Sequence, residues 1–143
     1  MRGNYSIGVI VFRKFPRSIK YLIIKHSKGH WSFPKGHPKK NEIKIKTALR
    51  ELREETGVKK VRLIGKKILI KEQYNFIGKN GIKNLKKVDY FIGETETKKI
   101  LIDNKEIVNF KWSTFNKALN IITFGGSKAS LRIANRFVKA NLK

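Results

Sequence analysis

Apolar and polar positions alternate between two periods along this chain. Residues 5–13, YSIGVIVFR, form a run of β-branched and aromatic side chains that predicts a strand. A turn over residues 14–18, carrying Pro16, leads to a second strand over residues 21–25, so a hairpin or two adjacent strands is expected. Glycine and proline break any period through residues 26–37, which read as loop. Ile45, Leu49, Leu52 and Thr56 then recur at helical spacing, with Ala48 at the margin of the stripe. Asn41 is the candidate cap of that helix, and Gly57 ends it, where a left-handed residue costs little. Residues 61–74 are strand-like at both ends, residues 78–81 (GKNG) predict a hairpin tip, and residues 86–96 predict the returning strand. Residues 110–112 predict a short strand, Ser113 or Thr114 caps a short helix through Asn120, and residues 128–142 place Leu131, Ala134, Phe137 and Val138 at helical spacing. The sum is an α/β (α+β) chain, a mixed sheet with helices on both faces and no internal repeat or linker.

With 143 residues the chain has room for one domain, expected over 1–143. No cysteine is present, which removes disulfides, zinc thiolates and thiol nucleophiles from consideration. No apolar run reaches membrane-spanning length and the first residues lack a signal-peptide pattern, so a cytoplasmic protein without a membrane partner is expected, acting as a monomer. A formal charge of +24 favours polyanionic partners, nucleic acid among them, although the lysines travel with isoleucine and asparagine throughout and such a bias can be compositional. The acids are more informative. Glu42, Glu51, Glu54 and Glu55 put four of the ten within fourteen residues of a basic chain.

Glu51, Glu54 and Glu55 lie three and four apart, so a helix brings them to one face, where they repel unless a cation intervenes. Mg²⁺ takes a few carboxylates, keeps some waters and completes its shell with substrate phosphate. The plainer alternative is a solvated helix face steadied by pairs such as Arg50 with Glu54. The full spacing favours the first: Gly36, five residues, Glu42, seven residues, Arg50-Glu51-Leu52, one residue, Glu54-Glu55, one residue, Gly57-Val58. This resembles the Nudix box, G-x5-E-x7-R-E-U-x-E-E-x-G-U with U aliphatic, at every fixed position. The resemblance implies an α/β/α sandwich and a hydrolase of nucleoside diphosphates linked to another moiety.

Three flanking features resemble one branch of that family, the asymmetrical bis(5'-nucleosyl)-tetraphosphatases. Residues 30–37 resemble its W-x-F-P-K-G-H segment, the strand carrying Lys87 resembles its lysine-containing strand, and Glu106, Trp112, Ala118, residues 121–124 and Lys128 resemble its C-terminal pattern, with Phe124 where tyrosine is usual. The resemblance implies a dinucleoside polyphosphate substrate, diadenosine tetraphosphate split into ATP and AMP, and Mg²⁺ as cofactor, with Mn²⁺ able to substitute. It implies Glu51, Glu54, Glu55 and Glu106 as metal ligands. Glu54 is the preferred base, and Glu51 and Glu106 also act in catalysis. Lys35, His37 and Lys87 hold phosphates, and Tyr74 (or Phe76) and Phe124 are base platforms. Gly36, Glu42, Arg50 and Gly57 are structural, Arg50 by a bidentate pair with a box carboxylate. Trp31, Phe33 and Trp112 read as packing, and the nearby His26 and His30 are not assigned a metal because Mg²⁺ prefers oxygen. Alternatives are removal of pyrophosphate from an RNA 5' end, hydrolysis of oxidised nucleoside triphosphates, and, from another class, a nucleotide sensor or RNA-binding module without turnover.

Overall fold

A computed structural model describes residues 4–142; Met1 to Gly3 and Lys143, the ends of the expected domain, lie outside the described residues. The chain runs β1 (Tyr5–Phe15), β2 (Ser18–His26), β3 (Trp31–Ser32), β4 (Lys35–Gly36), α1 (Lys44–Thr56), β5 (Arg62–Leu63), β6 (Ile70–Ile77), β7 (Lys83–Glu94), β8 (Ile107–Ser113), α2 (Phe115–Ile121) and α3 (Gly125–Asn141). One mixed sheet has the order β3-β2-β1-β7-β5, with β4 also on β1, β6 on β7 and β8 on β2. Strands β1 and β7 run parallel, from Tyr5 opposite Lys87 to Phe12 opposite Glu94, and the other pairings are antiparallel.

The central strands are continuously apolar because both faces are covered. On one face Ile7, Val9, Val11, Leu22 and Ile24 pack with Ala48 and Leu52 of α1. On the other Ile10, Phe12, Tyr21, Ile23, Val88 and Tyr90 pack with Ala118 of α2 and Leu131, Ala134 and Val138 of α3. The result is the expected α/β/α sandwich.

Several local expectations are corrected. The segment read as loop contains β3 and β4, two-residue pairings too short to show a period. Strand β2 extends to Ser18 and His26. Helix α1 is not capped by Asn41, which adopts a left-handed conformation (φ 61°); Ile43 is the cap residue and makes no side-chain cap bond. The buried face of α1 comprises Thr47, Ala48, Leu52, Glu55 and Thr56, so it is rotated from the predicted stripe, and Leu49 is only partly covered. In α3, Phe137 is 40 % exposed although its spacing matched the core residues. Trp112 is partly covered, edge-on to Phe15 at 5.7 Å.

One edge of β1 is divided between two partners: Ile7 and Gly8 pair with β4, and Phe12 to Phe15 pair with β2. The chain between β2 and α1 therefore joins the sheet at the edge of β1, beside α1. A cleft of about 870 Å³ opens there.

Candidate active site

Helix α1 is fixed over β4 by the absence of a side chain at Gly36. A Cβ built there would meet Glu51 Cδ and Oε2 at 2.1 Å, so the Glu51 carboxylate occupies the space that any other residue would fill. At the other end Gly57 (φ 77°) donates its N–H to Arg53 O at 2.8 Å and turns the chain out of the helix.

Arg50 organises the glutamates. Its Nε and Nη2 donate to Glu42 Oε2 (2.8 Å) and Oε1 (3.0 Å), a bidentate pair, while Nη1 donates to Glu51 Oε1 (2.7 Å) and Glu54 Oε1 (3.1 Å). Nη2 also donates to His37 O at 3.0 Å, tying the loop to the helix. Glu42 accepts the Lys39 N–H and the Thr47 hydroxyl as well, and the Arg50 guanidinium above all holds its carboxyl well below the usual range. Glu42 is thereby fully engaged and does not line the cleft.

Glu55 is 5 % exposed and within hydrogen-bond reach of Glu51. Burial first, then the bond and charge of Glu51, push its carboxyl far above the ordinary value, while Lys35 partly offsets them. Two carboxylates brought this close, one of them buried, share a proton; a hard divalent cation satisfies the same oxygens without it. The donor set therefore fits Mg²⁺ or Mn²⁺. The expected four ligands are not drawn together, however. Glu54 is turned onto Arg50 with its side chain 48 % exposed, Glu106 lines another part of the cleft, and among the described residues no group of three or more His, Cys, Asp or Glu side chains converges.

The cleft is cationic elsewhere. Lys35 Nζ donates to Ser32 Oγ at 3.1 Å, and burial lowers its pKa against the pull of Glu72. His37 Nδ1 lies 2.9 Å from Tyr5 O; a carbonyl only accepts, so Nδ1 carries the hydrogen and Nε2 is left for other partners. Lys86 lines the cleft, whereas Lys87 does not. The structure places the expected phosphate ligand Lys87 elsewhere: adjacent strand residues face opposite sides, and Lys87 lines a separate cavity of about 510 Å³ with Tyr5, Lys44, Lys71 and Asp89. Counting back by twos from the buried Tyr90 and Val88 would have selected Lys86.

Aromatic rings border the cleft. His26 and His30 stack at 4.7 Å with 8° between planes, and Phe124, 51 % exposed, lies 5.5 Å from His30. Burial, then the cationic surroundings led by His26, push His30 down to about 4, so at neutral pH it is an uncharged stacking surface. Thr123 holds this end in place, accepting the Trp31 N–H at 2.8 Å. Tyr74, opposite Lys86 in the β6–β7 ladder, lies 6.5 Å from Phe76 and both rings share the Lys86 face. Phe33 is 1 % exposed, edge-on to Tyr90, and packs the floor. Sequence reasoning missed Glu72, a buried carboxylate accepting hydrogen bonds from Ser130 Oγ (2.6 Å) and Ser127 Oγ (3.3 Å) of α3. Its one signal was a glutamate on the face of β6 that also carries Ile70.

Comparison with known proteins agrees with this geometry. A family model described as the NUDIX domain matches residues 4–132. Curated relatives named bis(5'-nucleosyl)-tetraphosphatase [asymmetrical] are 31 % identical in Rattus norvegicus and 30 % in Mus musculus, each alignment covering 93 % of this chain and 94 % of the relative. Among solved structures, a C. elegans Ap4A hydrolase binary complex superposes with a TM-score of 0.81 at 23 % identity, over 95 % of this chain and 98 % of that one. At that identity the match speaks for the fold.

Proposed function

This chain belongs to the NUDIX family of hydrolases, and from that premise we propose that it hydrolyses diadenosine tetraphosphate and related dinucleoside polyphosphates to ATP and AMP. The observation that carries the reading is the composition of the cleft beside α1. It joins the paired acids Glu51 and Glu55 to Lys35, His37 and Lys86, and it ends in the His26–His30–Phe124 stack, with a second aromatic pair, Tyr74 and Phe76, on the Lys86 face. A substrate with a polyanionic middle and two bases matches those parts. The names of the curated relatives point the same way.

Glu51 and Glu55 would hold Mg²⁺, or Mn²⁺ in its place, with Glu54 joining them by rotating off Arg50. When bound, the cation neutralises phosphoryl charge and acidifies water. Lys35, Lys86 and His37 hold the remaining phosphates, and phosphoryl transfer asks mainly for such positioning and countercharge. Glu54, half exposed and one turn along α1 from Glu51, is our choice for the group that accepts the proton of the attacking water once it has left Arg50; Glu106, which lines the cleft, is the rival. The bond broken is the phosphoanhydride that leaves AMP on one side and ATP on the other.

Product identity tests this. With Mg²⁺ present, wild type should release equimolar ATP and AMP, and Glu54→Gln should slow turnover by at least 10²-fold. Equal rates in both proteins would remove Glu54, and two molecules of ADP would remove the asymmetric reading. The charge of +24 favours one second reading, removal of pyrophosphate from RNA 5' ends. A kcat/KM for triphosphorylated RNA exceeding that for diadenosine tetraphosphate would put it first.

A further inference from the structure

The acids of this chain end at Glu106, and from Ile107 to the last residue the sequence holds basic residues alone among its charged ones. Much of that charge lies on α3. Lys128, Arg132, Arg136 and Lys139 fall within about 80° of one another around the helix axis at 3.6 residues per turn. The buried residues Leu131, Ala134 and Val138 occupy a different sector, so the basic arc faces solvent. No carboxylate stands within ion-pair distance of any of the four among the described residues. Arginine is the informative part. The chain has eight arginines against twenty-six lysines, so a compositional preference for lysine does not account for two arginines one turn apart on an exposed face.

The four-residue step continues beyond the helix at its N-terminal end. Phe124, Lys128, Arg132 and Arg136 form a ladder in which an exposed aromatic ring comes first, and the Lys128 N–H bonds back to Phe124 O at 3.1 Å. From Lys128 to Arg136 the helical rise covers about 12 Å. Phe124 in turn touches His30 of the cleft. A stacking ring followed by a line of guanidinium and ammonium groups is what binds single-stranded nucleic acid without sequence preference. Arginine also engages phosphate in a planar, bidentate way that lysine does not.

We infer that the exposed face of α3 is a docking track for a single-stranded RNA, held through its phosphodiester backbone and running toward the cleft mouth at Phe124. Apart from Phe124, where the two meet, the track lies outside the cleft, and the inference stands whether or not the cleft acts on dinucleoside polyphosphates.

The test uses the full chain and a fluorescein-labelled oligouridylate of about twelve nucleotides with a 5'-hydroxyl end, which offers no anhydride to hydrolyse. Anisotropy titrations over a range of salt compare wild type, R132E/R136E, and K59E/K60E, a control with the same change in net charge at exposed lysines that follow α1, next to Val58 of the α1 core cluster. Loss of two phosphate contacts should reduce the slope of log K against log salt by about 1.4. Affinity at low salt should fall at least tenfold more in R132E/R136E than in the control, with thermal unfolding of both variants close to wild type. Equal losses in the two variants would mean diffuse attraction to a basic protein and overturn the track, as would unchanged binding by R132E/R136E. Should R132E/R136E unfold, R132Q/R136Q is read by the same criteria. Vesicles containing phosphatidylserine form the last arm: binding to them through the two arginines, with no binding to the RNA, would also overturn it.

Discussion

Gly36→Ala separates the catalytic demand on this fold from the stability demand. Gly36 does not lie in the left-handed region, so alanine meets no backbone penalty there. What it meets is Glu51, whose carboxylate would stand 2.1 Å from the new Cβ and must retreat to the 3.4 Å of ordinary contact, a shift of about 1.3 Å. The obstacle is the far end of a flexible side chain, so the shift is made by rotation of Glu51 and not by movement of β4. Stability should change by less than about 1 kcal/mol, the lost Arg50–Glu51 contact being offset by the smaller entropy of an unfolded chain with alanine. Catalysis should suffer more. A misplacement of about 1 Å costs on the order of 10²-fold in rate, or about 2.7 kcal/mol of barrier. The assays are steady-state turnover of diadenosine tetraphosphate under Mg²⁺, calorimetric titration of Mn²⁺ and thermal unfolding on the same preparation. A variant with wild-type kcat/KM and cation affinity would refute the claim that Gly36 exists to seat Glu51. A variant that loses activity only by unfolding would show that the carboxylate cannot retreat.

Lys86→Ala should raise KM for a dinucleoside polyphosphate by 10- to 100-fold, the value of about 1.5–3 kcal/mol for a hydrogen bond to a charged group, while Lys87→Ala stays within twofold; the reverse order in steady-state kinetics would overturn the assignment by strand face. Tyr90 is fully buried with no partner for its hydroxyl among the described residues, so Tyr90→Phe should stabilise by about 1 kcal/mol in urea unfolding; destabilisation would mean that a water satisfies it. His30 is held down to about 4 when folded but takes up its proton near 6.5 when unfolded, so the unfolded state binds more protons between those values and stability falls as pH drops from 6.5 to 4. Allowing for its partial exposure, the loss is about 1 kcal/mol, and His30→Phe should remove it from a pH series of melting curves; an identical pH profile in both proteins would sink that account.

Where the sequence was sufficient, a repeating physical constraint spanned many residues. The box spacing is legible because it repeats across successive turns of one helix and the family model matches over it, and β1 because burial on both faces demands an unbroken apolar run. Expectation failed where a single residue decided the outcome. Asn41 has a side chain suited to capping, yet Glu42, clamped between the Lys39 N–H, the Thr47 hydroxyl and Arg50, sets how the chain enters α1. Asn41 then takes the left-handed conformation that asparagine tolerates. Lys86 and Lys87 are chemically identical, and only the register of β7 against β1 and β6 distinguishes them. Phe137 matched the periodicity of α3 but falls just outside the arc that the sheet can cover.

Arg50 explains why the acidic helix is compatible with folding before any cation arrives. Its fork contacts Glu42, Glu51 and Glu54 at 2.7 to 3.1 Å and the His37 carbonyl at 3.0 Å, so one positive charge is shared among three negative ones. An ammonium group has three donors on a point charge and cannot span those directions from one place. Glu55 is left out of the fork, and being buried beside Glu51 it resolves the remaining repulsion by holding a proton. The two devices are complementary: the arginine holds Glu42, Glu51 and Glu54 before any cation arrives, and the proton occupies oxygens that a divalent cation would take over. A chain with twenty-six lysines available places arginine at position 50, where fork geometry decides the outcome.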